Sequence, residues 1–111
     1  MERTEEQAIR ASDFLKALAN PYRLMILCLI NERELSVGEL EEHLGLRQPT
    51  LSQQLARLRD DNLVTTRRDG KQIFYRLASD EVRRTIALLD DMFCHGAEAR
   101  AAVAERTREL A

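Results

Sequence analysis

The sequence predicts a mainly α-helical chain carrying one β-hairpin, and three observations lead there. Residues 36–44 and 47–58 read as two helices joined by a glycine turn at Leu44-Gly45-Leu46. Two β-prone runs, Leu63 to Arg68 and Lys71 to Leu77, flank Asp69-Gly70, a strong hairpin signal. With 44% hydrophobic and 32% charged residues in 111, the rest is patterned as amphipathic helix with a modest core. Helix, tight turn, second helix with a polar outer face, then a basic hairpin make a winged helix-turn-helix. One domain is expected over 1–111, with the helix-turn-helix at about 36–60 and the wing at about 63–77.

In chain order, Thr4 with Gln7 has capping-box spacing, and Ala8, Ala11, Leu15 and Leu18 recur on one helical face, so a first helix is expected to about Ala19. Asn20-Pro21 ends it and starts the next, Asn as N-cap and Pro at the first helical position. That second helix, Tyr22 to about Asn31, is apolar around most of its circumference from Leu24 to Ile30, which places it at the buried centre with Cys28 inside it. Ser36 and Glu39 form a capping box for a short helix whose Val37, Leu40 and Leu44 share a face. In the helix that follows, Pro49 sits in the first turn and Leu51, Leu55 and Leu58 form the inward stripe. A two-residue loop at Asp69-Gly70 sets Arg68 opposite Lys71 and Arg67 opposite Gln72, and directly opposed cations imply an external anion. Ser79 caps a last helix, about 79–95, with Asp80 and Glu81 in its first turn. Its stripe of Val82, Ile86, Leu89 and Phe93, widened by Leu88 and Met92, exceeds what a small winged helix needs, and with the first helix it is expected to form a homodimer interface. The alternative is packing onto the chain's own core. From Gly96 the tail is helix-prone, with Val103 and Leu110 its only large apolar residues.

The helix after Gly45 carries the candidate chemistry. Opposite its leucines stand Thr50, Gln53 and Arg57, flanked by Ser52 and Gln54, with Arg47, Gln48 and Pro49 at its start, and no carboxylate on that face. Gln pairs bidentately with adenine and Arg with guanine in the major groove, whereas a carboxylate repels phosphate. Arg67, Arg68, Lys71 and Gln72 of the wing are the candidate backbone contacts. The net charge of −2 hides an asymmetry: residues 47–76 hold seven Lys or Arg against Asp60, Asp61 and Asp69, a local +4 that leaves −6 on the remainder. Such a distribution aims one face at double-stranded DNA.

Other classes are disfavoured. Met1-Glu2-Arg3-Thr4-Glu5-Glu6 is unlike a signal peptide, and the longest apolar run, Leu24 to Ile30, is too short to span a bilayer, so a cytoplasmic protein with no membrane partner is expected. Two cysteines in a reducing compartment are not a permanent staple. Two separated histidines, His43 and His95, with no Gly-rich phosphate loop and no nucleophile-base motif, argue against an enzyme. A winged helix used as a protein-interaction module is disfavoured by the acid-free face and basic wing.

Four segments taken together, residues 15–24 (LKALANPYRL), 34–40 (ELSVGEL), 48–53 (QPTLSQ) and 67–71 (RRDGK), closely resemble the ArsR family of bacterial repressors, over roughly residues 12–95. The resemblance implies a dimeric winged-helix repressor that binds an imperfect inverted repeat and is released by a chemical inducer. Many relatives have Ser-Gln-His where this chain has Ser52-Gln53-Gln54, a departure that bears on the operator or only on packing. Metal-sensing members often carry Cys-Val-Cys where this chain has Ser36 and Gly38. Others bind zinc between their C-terminal helices; His95 and Glu98 fit half of that pattern, but Val82 and Arg84 occupy the other half, so no metal or other cofactor is expected. His43 reads as a surface or capping residue. What the resemblance implies for Cys28 and Cys94 is the redox switch of the BigR, SqrR and HlyU type, in which the two thiols of one protomer join through a di- or polysulfide in response to reactive sulfur or an oxidant. On the residues alone, two buried cysteines acting as small hydrophobes remain open.

Overall fold

The computed structural model describes residues 2–93, built as α1 (Glu2–Leu18), α2 (Pro21–Glu32), β1 (Leu35–Ser36), α3 (Val37–Leu44), α4 (Gln48–Asp60), β2 (Val64–Asp69), β3 (Gln72–Leu77) and α5 (Asp80–Phe93). It is mostly helical with a three-stranded antiparallel sheet in the order β1-β3-β2, the arrangement of a winged helix-turn-helix.

Local chemistry sets most boundaries. The Asn20 side chain accepts from the Tyr22 and Arg23 amides (2.9 and 3.2 Å), and Pro21 opens α2. Ser36 Oγ accepts from the Glu39 amide (3.1 Å) while Glu39 Oε1 accepts from the Ser36 amide (2.9 Å), a complete capping box on α3. Gly45 ends α3 at φ 65°, in the left-handed region. Ser79 Oγ accepts from the Val82 amide (3.2 Å) at the start of α5. Asn62, at φ 60°, turns the chain from α4 into β2.

The core sits around α2, whose Met25, Ile26, Leu27, Cys28 and Ile30 are buried. Leu40 and Leu44 of α3, Leu51, Leu55 and Leu58 of α4, Tyr75 and Leu77 of β3, and Val82 and Ile86 of α5 join them in one cluster. The α3–turn–α4 unit is therefore anchored chiefly through its apolar side, which leaves the opposite side of α4 to solvent.

Four sequence expectations need correction. Thr4 does not cap α1, because the helix already begins at Glu2. Of the expected α1 stripe only Leu18 is buried; Ala8, Ala11 and Leu15 are exposed, and α1 meets the core through Phe14, Ala17 and Leu18 in its last turns. β1 is absent from the sequence expectation: two residues have no period to read, and Ser36 is at once a strand residue and a helix cap. The hairpin loop is Gly70-Lys71, not Asp69-Gly70. Asp69 pairs with Gln72, Arg68 with Ile73 and Arg67 with Phe74. Only Gly70 takes a positive φ (66°), so the turn needs the left-handed conformation at glycine alone, whereas the expected turn needs it at Asp69 as well. Opposed cations at the wing tip are thereby avoided, and their repulsion no longer points to an external anion.

Candidate nucleic-acid interface

The outer face of α4 is polar and largely solvent-exposed, but it is not free of carboxylates as its own sequence suggested, because Glu41 and Asp61 reach it from its two ends. Gln48, Pro49, Ser52, Gln53 and Arg57 are exposed, Thr50 is half-buried, and Arg47 precedes the first turn with its side chain in solvent. Ser52 Oγ donates to Gln48 Oε1 (2.8 Å), and Gln48 Nε2 donates to Glu41 Oε1 of α3 (2.7 Å), so the start of α4 is tied to the preceding helix through its own polar face. Arg57 Nε donates to Asp61 Oδ2 (2.6 Å), one turn further along. That pair is solvent-exposed and therefore weak, and it leaves the guanidinium exchangeable toward a stronger anion.

The wing separates its cations into two kinds. Arg68, Lys71 and Gln72 project into solvent. Arg67 is held: its Nε donates to Glu34 Oε1 (2.9 Å), its Nη2 donates to the same oxygen, and its guanidinium lies 4.7 Å from the centroid of the Phe74 ring, its cross-strand neighbour. The hydrogen bonds from Arg67 hold the Glu34 carboxyl below the ordinary carboxylate range and raise the pKa of Arg67 in return. Glu34 stands just before β1, so this pair fastens the wing to the α2–α3 connection.

Gln54 does not share the exposure of Gln53. It is half-buried, and its Oε1 accepts from Arg23 Nη1 (3.2 Å). Arg23, only 9% exposed, also donates from Nε to the Ala17 carbonyl (2.6 Å) and from Nη2 to the Lys16 carbonyl (3.3 Å). Burial, and secondarily the charge of Arg57, lower its pKa, with Asp61 opposing. Sequence reading missed both Arg23 and Glu34. A signal for Arg23 was present in Pro21, which has no N–H for the Ala17 carbonyl four residues earlier.

A second feature lies on the opposite side of α2. An apolar cavity of about 390 Å³ is lined by Ala19, Asn20, Pro21, Leu24, Met25, Cys28, Leu89 and Phe93. Near it the α5 stripe divides. Val82 and Ile86 are buried and Leu89 packs against the core, but Leu88, Met92 and Phe93, like Ile9 and Leu15 of α1, are 54–67% exposed. Cys94, His95 and Glu98 lie outside the described residues. Among the described residues no group of three or more His, Cys, Asp or Glu could hold a metal ion, and no helix is long and apolar enough to cross a membrane.

The sequence pattern of the arsR family of bacterial regulatory proteins matches residues 20–66, which span α2 to the start of the wing. The biofilm growth-associated repressor of Agrobacterium fabrum is 53% identical over 90 residues, covering 81% of this chain and 77% of that one. The chain belongs to the ArsR family. The transcriptional activator HlyU of Vibrio cholerae is 47% identical over 94 residues, 85% of this ArsR-family chain and 87% of HlyU. Among solved structures, reduced HlyU from Vibrio cholerae matches with a TM-score of 0.82 at 46% identity, covering 86% of this chain and all (100%) of that one. The repressor BigR from Xylella fastidiosa matches at 0.78 and 47% identity, covering 84% and 92%. This ArsR-family protein is accordingly a DNA-binding transcriptional regulator of the BigR and HlyU subgroup, and not an enzyme.

Proposed function

We propose that the protein is a cytoplasmic, homodimeric repressor whose affinity for an inverted-repeat operator falls when Cys28 and Cys94 of one chain join through a di- or polysulfide. The observation that carries the reading is the cavity: Cys28 lines it, and so does Phe93, the residue immediately before Cys94. Its volume of about 390 Å³ is far above the roughly 10–15 Å³ of probe-occupied volume that admits one water, so extra sulfur atoms have room. That the Vibrio cholerae relative is described in a reduced form accords with a thiol-dependent state.

The chemistry balances without a metal. One thiolate attacks the outer sulfur of a hydropersulfide, taking up that sulfur and releasing the donor's thiol. The second thiol then attacks the inner sulfur of the new persulfide and expels H₂S, leaving a disulfide. If both cysteines are persulfidated first, the same displacement leaves a trisulfide and again releases H₂S. A bridge changes DNA affinity only by fitting the released dimer better than the bound one, and a difference of about 1–3 kcal/mol weakens binding roughly 5- to 150-fold. The dimer is supported by the uncovered apolar residues of α1 and α5, and two-fold pairing is what presents two recognition helices to two half-sites.

Mass spectrometry after a persulfide donor is the test. A cross-link of Cys28 to Cys94 within one chain, read as the loss of two hydrogens for the disulfide or the gain of one sulfur less two hydrogens for the trisulfide, together with loss of DNA binding reversed by a thiol reductant, is expected. Cys28→Ser and Cys94→Ser should each bind DNA and ignore the donor. Release of DNA from the double variant on treatment sinks the thiol reading.

A further inference from the structure

We propose that Arg23 and Gln54 form the link that fixes the recognition helix α4 against the α1–α2 joint, and that Gln54 serves DNA selection through this link rather than by touching a base. The Ala17 carbonyl lies in the last turn of α1, and its helical donor would be the amide of residue 21, a proline. Arg23 Nε supplies the missing donor at 2.6 Å, and Nη2 reaches the Lys16 carbonyl at 3.3 Å. Two nitrogens of one planar guanidinium are thus committed to the end of α1, which fixes the direction of the third. Nη1 points at α4 and meets Gln54 Oε1 at 3.2 Å across 31 residues of sequence. The charge is nearly buried, so a donor left without an acceptor is costly and the preference for this one geometry is strong.

The consequence is angular. Gln54 is adjacent in sequence to Gln53, which faces solvent on the outer side of α4. Holding Gln54 toward Arg23 sets the rotation of α4 about its own axis, and with it the direction of Gln53 and Arg57. The three leucines beneath α4 resist its departure from the core but, being non-directional contacts, resist a small roll much less. The Gln48–Glu41 bond ties α4 only to α3, and a hydrogen bond with a fixed fork adds the angular restraint from α2. Lysine at position 23 has a single ammonium on a flexible stem and cannot serve Ala17 and Gln54 in the same fixed geometry.

The test uses the reduced full chain and two duplexes: one enriched by the wild-type protein from a random-sequence pool, and a scrambled one. Gln54→Met, Arg23→Lys and the double variant are compared with the wild type by titration, thermal unfolding and re-selection. Gln54→Met leaves Arg23 Nη1 without its acceptor and should lower Tm; through the freed rotation of α4 it should also weaken the enriched duplex roughly tenfold, while scrambled-duplex affinity stays near wild type. The loss should spread over the whole site with an unchanged consensus, and Gln54→Met should add nothing in the Arg23→Lys background. The proposal fails if Gln54→Met has no effect, if its full cost persists with lysine at 23, or if re-selection changes the preferred base at one position. Should Arg23→Lys not fold, re-selection with Gln54→Met alone decides: a weakened but unchanged consensus supports the link, and an altered base overturns it.

Discussion

Two arginines one residue apart show how a side chain's neighbours, not its charge, decide its role. Arg67 and Arg68 are indistinguishable in a count of wing cations, yet Arg67 is engaged by Glu34 and Phe74 while Arg68 extends into solvent opposite Ile73. Arg68→Ala should therefore leave one phosphate per protomer without its cation, lowering the slope of log affinity against log salt by about 1 for each such phosphate, with little change in sequence preference or Tm. Arg67→Ala should instead loosen the wing at its attachment, lowering Tm as well as DNA affinity. The sign of its pH dependence follows from Glu34, whose folded pKa is depressed by Arg67. A depressed carboxylate contributes stability that is complete above its unfolded pKa and is lost as pH falls through the folded value. The Tm difference between wild type and Arg67→Ala should accordingly be largest near neutrality and shrink in acid. Identical salt slopes and Tm values for the two variants would contradict the division.

At the scale of the element, α5 is a helix with two jobs along one stripe. Its first half, Val82 and Ile86, completes the core, and its second half presents Leu88, Met92 and Phe93 to solvent. Leu89, near the change-over, packs on the core and lines the Cys28 cavity, so altering it confuses folding with assembly. Leu88 and Met92 are the cleaner probes of the dimer we propose. Met92→Glu or Leu88→Glu places an unpaired charge in an apolar interface and should give monomers by sedimentation with helical content retained. Leu89→Ala should instead cost stability, of order 2 kcal/mol. A wild-type chain that sediments as a monomer at micromolar concentration would remove the dimer altogether.

For the whole molecule, the net charge of −2 is a poor guide because the charges are segregated. The helix-turn-helix and wing expose Arg47, Arg68 and Lys71 on elements that share one core, while the acidic surplus is carried elsewhere. Three such cations per protomer, six in a dimer, predict a log–log salt slope of about −5 for binding to random duplex. A slope near zero in a fluorescence titration would mean that this face does not meet the phosphate backbone.

Sequence by itself determined the parts governed by rules that act within a few residues. The Ser36–Glu39 box, the left-handed Gly45, the Asn20-Pro21 start of α2 and the leucine stripe of α4 all follow from local hydrogen bonding, permitted φ and helical period, and the helix-turn-helix with its exposed polar face came with them. Only the tertiary structure decided which distant groups meet. Two-residue β1 exists because β3 is there to pair with it. The loop settled on Gly70-Lys71 with Val64 opposite Leu77, a pairing that buries both at the base of the wing. Arg67 found Glu34 across 33 residues and Arg23 found Gln54 across 31, contacts that no periodicity encodes. Helix packing brings such pairs together, and a buried or bridging polar group takes whichever partner that packing leaves within reach, so its role is fixed last and is the least legible in the chain.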